Sequence, residues 1–280
     1  MSAQPSSFLG DWLVSEYLYT PAGEYAGVIH QHRRLQPQGA VVRVIQTCQP
    51  VQAARKLSPQ AQEVVEIMNR RAGEFVFDLQ PSGQARHYLG PDVIGSGFLW
   101  HEGVLTARGL WPRFGYNFTS FSILLNPTRQ ITGGKFFQAS QQIATLLGVA
   151  GPESEGFPTL SAISSSEQHS GICQFFSPEG QLVDSLTVTS AELDEIRNNM
   201  PGNFKRYGAL IELEAASPSG EIVSAIEISD QHTAQVAGIW KIFQDEKLKQ
   251  VQIYVLSSDN PRLPLKATTQ QPAGGHQEME

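Results

Sequence analysis

Residues 11–48, DWLVSEYLYTPAGEYAGVIHQHRRLQPQGAVVRVIQTC, hold three runs rich in β-branched, aromatic and leucine side chains, separated by Pro-Ala-Gly and Pro-Gln-Gly. Proline presets the backbone for a tight turn and glycine accepts positive φ, so such breakers between alternating runs mark hairpins, and three runs make a meander. Within Gly27–Gln36 the two-residue period of a strand sets His30, His32 and Arg34 on one face and Ile29, Gln31, Arg33 and Leu35 on the other. Ala26 and Val28 share the histidine parity, which favours that face as the interior; a one-residue slip reverses the assignment. The next run is mixed on both faces, with Val42, Val44 and Gln46 opposing Arg43, Ile45 and Thr47.

The segment SPQAQEVVEIMNRRAG (58–73) breaks this pattern. Ser58 as N-cap, Pro59 at the first helical position, and Ala61, Val64, Val65 and Met68 on one face predict an amphipathic helix of about three turns. Strand signals resume in GEFVFDLQ, QARHYLG, GVLTARGLW, NFTSFSILLN and ITGGKFF, and QASQQIATLLGVAG (138–151) reads as a second helix with Ile143, Leu146 and Leu147 on one face. A stretch rich in Ser, Glu, Gly and Pro follows. The expected division is therefore a first domain over 1–150, a linker over 151–168, a second domain over 169–257 and a flexible tail over 258–280 that includes His276.

With 280 residues, 40% hydrophobic and 17% charged, the chain suits one large or two small globular domains. No apolar run approaches the ~18 residues of a bilayer span, and the opening MSAQPSSFLGDW has no basic and apolar leader, so a cytoplasmic protein is expected. Cys48 and Cys173 lie far apart and suggest neither a disulfide framework nor a zinc motif; Cys48 is read as a small buried side chain. The net charge of −7 is uneven: residues 1–150 carry 12 Lys and Arg against 9 acids, and residues 151–280 carry 8 against 18. The first half has only Lys56 and Lys135 as lysines, so its charge is arginine, which suits planar recognition of a carboxylate or phosphate better than nucleic-acid binding. The acidic second half suits docking on a protein partner.

The second half repeats the order of parts in the first. EYLYTPAGEYAGVIH answers to ICQFFSPEGQLVDSL, matching Pro21 and Gly23 to Pro178 and Gly180. SAELDEIRNNM, with Ser190 as expected N-cap, answers to the helix after Ser58. FVFDLQPSGQARHYL answers to LIELEAASPSGEIVSAIEI, and ARGLW to VAGIW, placing Trp111 against Trp240. Each copy has many strands and a short helix, and an antiparallel sheet of that kind buries one face by curling into a barrel or stacking on a second sheet.

FLGDWLVSEY, with Gly10 and Trp12 at the head of the first strand, resembles the Gly-x-Trp opening of lipocalin-like (calycin) barrels, and GICQFFSPEGQLVDSLTVTS resembles the opening hairpin of cyanobacterial lipocalin-like proteins of the phycobiliprotein-lyase type. The resemblance implies a mainly β protein of two tandem antiparallel lipocalin-like β-barrels. It further implies a cup that holds a pigment, isoprenoid or fatty-acid-like molecule, and no particular reaction, since related double barrels include enzymes.

On this reading the first barrel binds an amphipathic, anionic small molecule. Candidate ligand-binding residues are Arg34, Arg43, Arg86, Tyr88, Trp100, Arg108, Trp111, Arg113, Phe114, Tyr116 and Asn117. Arg108 and Arg113 could pair with a carboxylate while the aromatic side chains of 111–116 stack on an apolar body; the same cluster could equally plug the barrel end, with arginine stacked on tryptophan. His30 and His32 are candidates for proton transfer, which would make the protein an isomerase, cyclase or hydratase, or for anchoring a ligand; a shared metal ion would need His87 or His101 as a third ligand. No cofactor is implied. TGGK (132–135) lacks phosphate-loop spacing, and neither Gly-x-Ser-x-Gly nor His-Glu-x-x-His occurs.

Overall fold

The structure is a computed structural model that describes residues 8–101, 103–162, 168–216 and 220–258, with the backbone alone at His101. Its first half is built from β1 (Gly10–Tyr19), β2 (Tyr25–Gln38), β3 (Val41–Cys48), a two-residue β4 (Gln52–Ala53), α1 (Pro59–Asn69), β5 (Gly73–Ser82), β6 (Ala85–Leu89), β7 (Ile94–His101), β8 (Val104–Trp111), β9 (Tyr116–Asn126), β10 (Arg129–Gln138) and β11 (Gln141–Pro152). Strands pair in meander order, and β1 pairs with both β2 and β11, which closes ten antiparallel strands into a barrel with β4 as an appendage on β2. The expected meander and the helix after Ser58 are both present. Ser58 accepts from the Ala61 backbone N–H, Pro59 opens the helix, and Ala61, Val64, Val65 and Met68 are its buried face.

Directly paired residues of antiparallel strands share a face, so the register fixes what points inward. Trp12, Val14, Glu16 and Leu18 of β1 stand opposite Arg33, Gln31, Ile29 and Gly27 of β2, and Gln31, Arg33 and Leu35 stand opposite Cys48, Gln46 and Val44 of β3. Leu18, Ile29, Val44, Cys48, Phe75, Tyr88, Trp111, Phe118, Phe136 and Leu146 form one cluster with the apolar face of α1, which marks that side as the interior. His30, His32, Arg34 and Arg43 therefore lie on the outer wall, the reverse of the expected parity. Ala26 joins the interior cluster despite sharing the histidine parity, because the β1–β2 register shifts between Leu18 and Tyr19; its burial is no guide to residues beyond the irregularity.

The expected helix over 138–151 is β11. Ala144, Leu146 and Ala150 face into the barrel, while Leu147 and Val149 face out and are equally buried. A strand covered on both sides reads as an unbroken apolar run, which periodicity alone does not distinguish from a buried helix.

The outer cover is the second sheet, made from β12 (Ser170–Phe176), β13 (Leu182–Thr189), β14 (Gly202–Tyr207), β15 (Leu210–Ala216), β16 (Ile222–Asp230), β17 (Gln235–Gln244) and β18 (Lys247–Ser257), with α2 (Ser190–Asn198) between β13 and β14. Its order is β13-β12-β18-β17-β16-β15-β14, and no pairing of β13 with β14 closes it among the described residues. Where a second closed barrel was expected, there is a seven-stranded sheet packed on the first barrel. Thr189, one residue before the expected Ser190, caps α2 through a capping box with Glu192. The hairpin turns of the two halves match in detail. Gly23 (φ +93) donates to Thr20 O as Gly180 (φ +82) donates to Ser177 O, each at 2.9 Å, in a conformation that favours glycine.

One apolar cluster joins the two sheets, with Tyr19, Phe121, Ile123, Leu147 and Val149 from the barrel's outer wall and Tyr207, Leu210, Ile239, Val251 and Ile253 from the second sheet. At its border Arg129 makes a bidentate pair with Asp230, Nε and Nη2 each 2.9 Å from a carboxylate oxygen, and also donates to Thr159 O at 2.8 Å. Both partners are almost fully buried. Asp230→Asn would leave the Arg129 guanidinium buried beside a neutral amide and should lower the unfolding free energy by about 3 kcal/mol. A urea midpoint unchanged in that variant would show that the pair does not hold the two sheets together.

Candidate functional site

The barrel interior is not filled. A cavity of ≈ 140 Å³ lies inside it, lined by apolar side chains such as Leu79, Trp111, Phe118, Phe136 and Leu146, by uncharged polar ones such as Ser120, Ser122, Gln130 and Thr132, and by a group made of Glu16, Arg33, Gln46, Arg71 and Tyr88. Glu16 Oε2 accepts from Gln31 Nε2 at 2.7 Å and from Arg71 Nη1 at 2.9 Å. Gln31 Oε1 in turn accepts from Arg33 Nη2 at 3.2 Å. The Arg71 guanidinium is pinned between two rings, 4.8 Å from the centroid of Trp111 and 4.9 Å from that of Phe136. Gln46 Nε2 points at the Cys48 sulfur, 3.4 Å away.

The charges do not balance. Two guanidinium groups and one carboxylate line the cavity, and guanidinium stays protonated in proteins. Burial weakens the hold of Arg33 on its proton, partly offset by the Glu16 carboxylate, and the neighbouring Arg71 charge adds to the strain. Two N–H donors of this group, Arg33 Nε and Arg71 Nε, are buried without a hydrogen-bond partner. A buried charge-bearing donor left unpaired costs about 1–3 kcal/mol or more. Tyr88 sits beside Arg33; burial pushes its hydroxyl up to about 12 although the Arg33 and Arg86 charges pull the other way, so it is a neutral donor at physiological pH.

Of the residues expected at the site, Tyr88 and Trp111 line this cavity. Phe114 and Tyr116 stack next to it at 6.3 Å, Tyr116 accepting from Arg70 Nη1 at 3.3 Å, and together with Trp111 they form the aromatic plug that the sequence left open as one reading. The arginine stacked on the tryptophan is Arg71, while Arg113 lies over the Phe114 ring at the surface. The others are elsewhere. His30 is on the outer wall, 3.3 Å from Ser15 Oγ and against the Phe157 ring, and burial lowers its affinity for a proton. His32 is on the same wall with a buried, unpartnered Nε2. Arg34 stands opposite Asp11, Arg43 pairs with Asp78, and Arg86 donates to the carbonyls of Gly83 and Ala85 in the β5–β6 turn. Trp100 donates to Thr106 Oγ1 at 2.9 Å on the outer wall, Arg108 faces outward beside it, and Asn117 reaches Ala139 O. The tail with His276 lies outside the described residues.

Sequence reasoning missed Glu16, Arg33, Gln46 and Arg71 as site residues. Glu16 carried a signal, as an acid at the parity of Trp12, Val14 and Leu18; Arg71, just past the end of α1, carried none.

No known protein family matches the sequence, and no curated protein does. Among solved structures, a protein of unknown function from the DUF3598 family of Nostoc punctiforme PCC 73102 aligns over 91% of this chain and 100% of its own, with 9% identity and a TM-score of 0.49. A putative outer membrane protein of Bacteroides fragilis NCTC 9343 aligns over 90% of this chain and 99% of its own, with 6% identity and a TM-score of 0.23. At these levels neither lends a function to this chain. Among the described residues, no helix is long and apolar enough to cross a membrane, and no three His, Cys, Asp or Glu side chains cluster to hold a metal ion.

Glu16→Gln removes the only acidic side chain that lines the cavity among the described residues and leaves the Arg33 and Arg71 guanidiniums there without a carboxylate. The expected result is a loss of about 3 kcal/mol of stability, partly restored by millimolar benzoate or acetate, read by thermal unfolding with and without the anion. A variant as stable as the wild type would mean that Glu16 does not hold the arginines in place.

Proposed function

We propose that the protein is a binding protein for a small organic anion with a compact apolar body, held in the barrel with its carboxylate on Arg33 and Arg71. The single observation behind this is the unbalanced charge: two buried guanidiniums with unpartnered Nε–H donors and one carboxylate, at a cavity whose other lining is aromatic and aliphatic side chains together with uncharged polar ones such as Ser120, Ser122, Gln130 and Thr132. An apolar cavity of similar volume takes a molecule of about benzene size, which sets the scale of the ligand and argues against a tetrapyrrole or a long acyl chain in the barrel as it stands. The proton-transfer reading loses its residues, because His30 and His32 lie on the other side of the wall. We also infer that the second sheet is an opened counterpart of the lipocalin-like barrel; the matching turn hydrogen bonds and the capped helix after each hairpin support this.

The test is calorimetric titration with benzoate against the neutral isostere benzamide, on the wild type and on Arg33→Met. Wild-type protein should bind benzoate with a preference over benzamide, and Arg33→Met should weaken benzoate by about tenfold or more. Removal of an uncompensated buried charge should at the same time make the unliganded variant more stable by roughly 1 kcal/mol. Equal binding of the two compounds, or a variant that keeps wild-type affinity, would remove the anion from the proposal.

A further inference from the structure

Away from the apolar seam, the barrel's outer wall and the second sheet diverge and leave a cleft of ≈ 810 Å³. That volume is in the range of drug-sized and cofactor sites. Its two walls differ from the seam in chemistry. Phe98, Trp100 and Phe121 of the barrel and Ile226, Ile239 and Phe243 of the sheet are among its apolar lining. Four cations line the same cleft: Arg108 and Lys135 from the barrel, and Lys205 and Lys241 from the sheet.

The carboxylates present do not neutralise them. Glu212 is 3.0 Å from Lys135 and stands directly opposite Lys205 on the neighbouring strand; the other acid of the cleft is Glu214. Among the described residues, Arg108 and Lys241 have no acidic partner. Lys241 is half-buried, and both burial and the Arg108 charge weaken its hold on a proton, so two like charges are kept near each other without a counter-ion. Lys205 and Lys241 come from the half of the chain where acids outnumber bases 18 to 8, while Arg108 and Lys135 come from the half that carries 12 bases against 9 acids. Arg108 is exposed and Lys241 partly buried on the same cleft, so an anion placed between them would be attracted by both charges.

We propose that this inter-sheet cleft is a second binding site, for an organic anion with a flat apolar body larger than the barrel cavity admits, its charged group between Arg108 and Lys241 and its body on the Phe98, Trp100 and Phe243 side chains. The site is independent of the barrel cavity in its charges, though Thr119, Ser120 and Gly134 border both spaces.

Titration with 8-anilinonaphthalene-1-sulfonate tests this, because the probe carries one anionic group on an aromatic body too large for a benzene-sized cavity. The wild type should bind one equivalent, with affinity falling as salt is raised. Arg108→Gln/Lys241→Gln should weaken the probe by about tenfold or more, and Arg33→Met should leave it unchanged. The neutral N-phenyl-1-naphthylamine on wild-type protein gives a reading that needs no variant to fold, and it should bind clearly more weakly than the sulfonate. Equal binding of the charged and neutral probes, wild-type affinity in the double variant, or no binding to the wild type would overturn the proposal. Loss of the probe in Arg33→Met would assign it to the barrel instead. Benzoate affinity in the double variant reports separately on the barrel, so the two sites fail or stand independently.

Discussion

Strand β1 hydrogen-bonds to β2 along one edge and to β11 along the other, and that double pairing is what turns ten strands into a closed wall. Closure removes the exposed edges of the sheet and creates an inside, and whatever β1 directs inward is then cut off from water. It directs Glu16 inward. An isolated carboxylate could not stay ionised there at acceptable cost, so the position of Arg71 just after α1, and of Gln31 on the neighbouring strand, follows from the need to solvate that charge. The outward residues of the same strand serve the rest of the molecule: Tyr19 packs in the seam with Tyr207 of the second sheet, and the Tyr17 hydroxyl accepts from the Leu160 backbone in the segment that crosses between the sheets.

Arg33 is what the structural account alone does not require. Glu16 and Arg71 already make a neutral pair, with the guanidinium held between Trp111 and Phe136. A leucine or methionine at position 33 would line the cavity without desolvating a second cation. Arg33 has one internal partner, Gln31 Oε1 on its Nη2, and a buried Nε with none, the pattern on which the proposed anion site rests. Phosphate and carboxylate both match a guanidinium fork, but the small volume and the aromatic walls favour a single carboxylate on a compact body. The inter-sheet cleft follows the same logic on a larger scale, with Arg108 and Lys241 in place of Arg33 and Arg71.

The sequence carried the architecture through local signals. Ser58 and Pro59 set the start of α1, the Pro-x-Gly turns set the hairpins, and the apolar spacing of α1 named its four buried residues. It failed where the deciding information is tertiary. Leu146, Leu147 and Val149 read as helical because both faces of β11 are covered, one by the barrel core and one by a second sheet that follows later in the chain, from Ser170 to Ser257. The parity of His30 and Arg33 was reversed because burial of Ala26, on the far side of a register shift, points to the wrong face for the residues that follow. The arginine-rich half with its aromatic side chains led to the expectation of an anionic ligand, and of the residues named for it Tyr88 and Trp111 line the barrel cavity. Which arginines face the cavity depends on register and on where a helix end lands, and neither is written in composition or spacing.

The most direct test is to observe the unpartnered donors themselves. In ¹⁵N-resolved NMR spectra, the Arg33 and Arg71 Nε–H signals, assigned by Arg33→Met and Arg71→Lys, should be separate and protected from exchange in the unliganded protein. On titration with benzoate both should move together along one saturable curve, as the carboxylate takes up the two donors. Signals that stay fixed while benzoate saturates elsewhere, or that exchange with water as fast as surface arginines do, would contradict the account of a buried cation pair waiting for an anion.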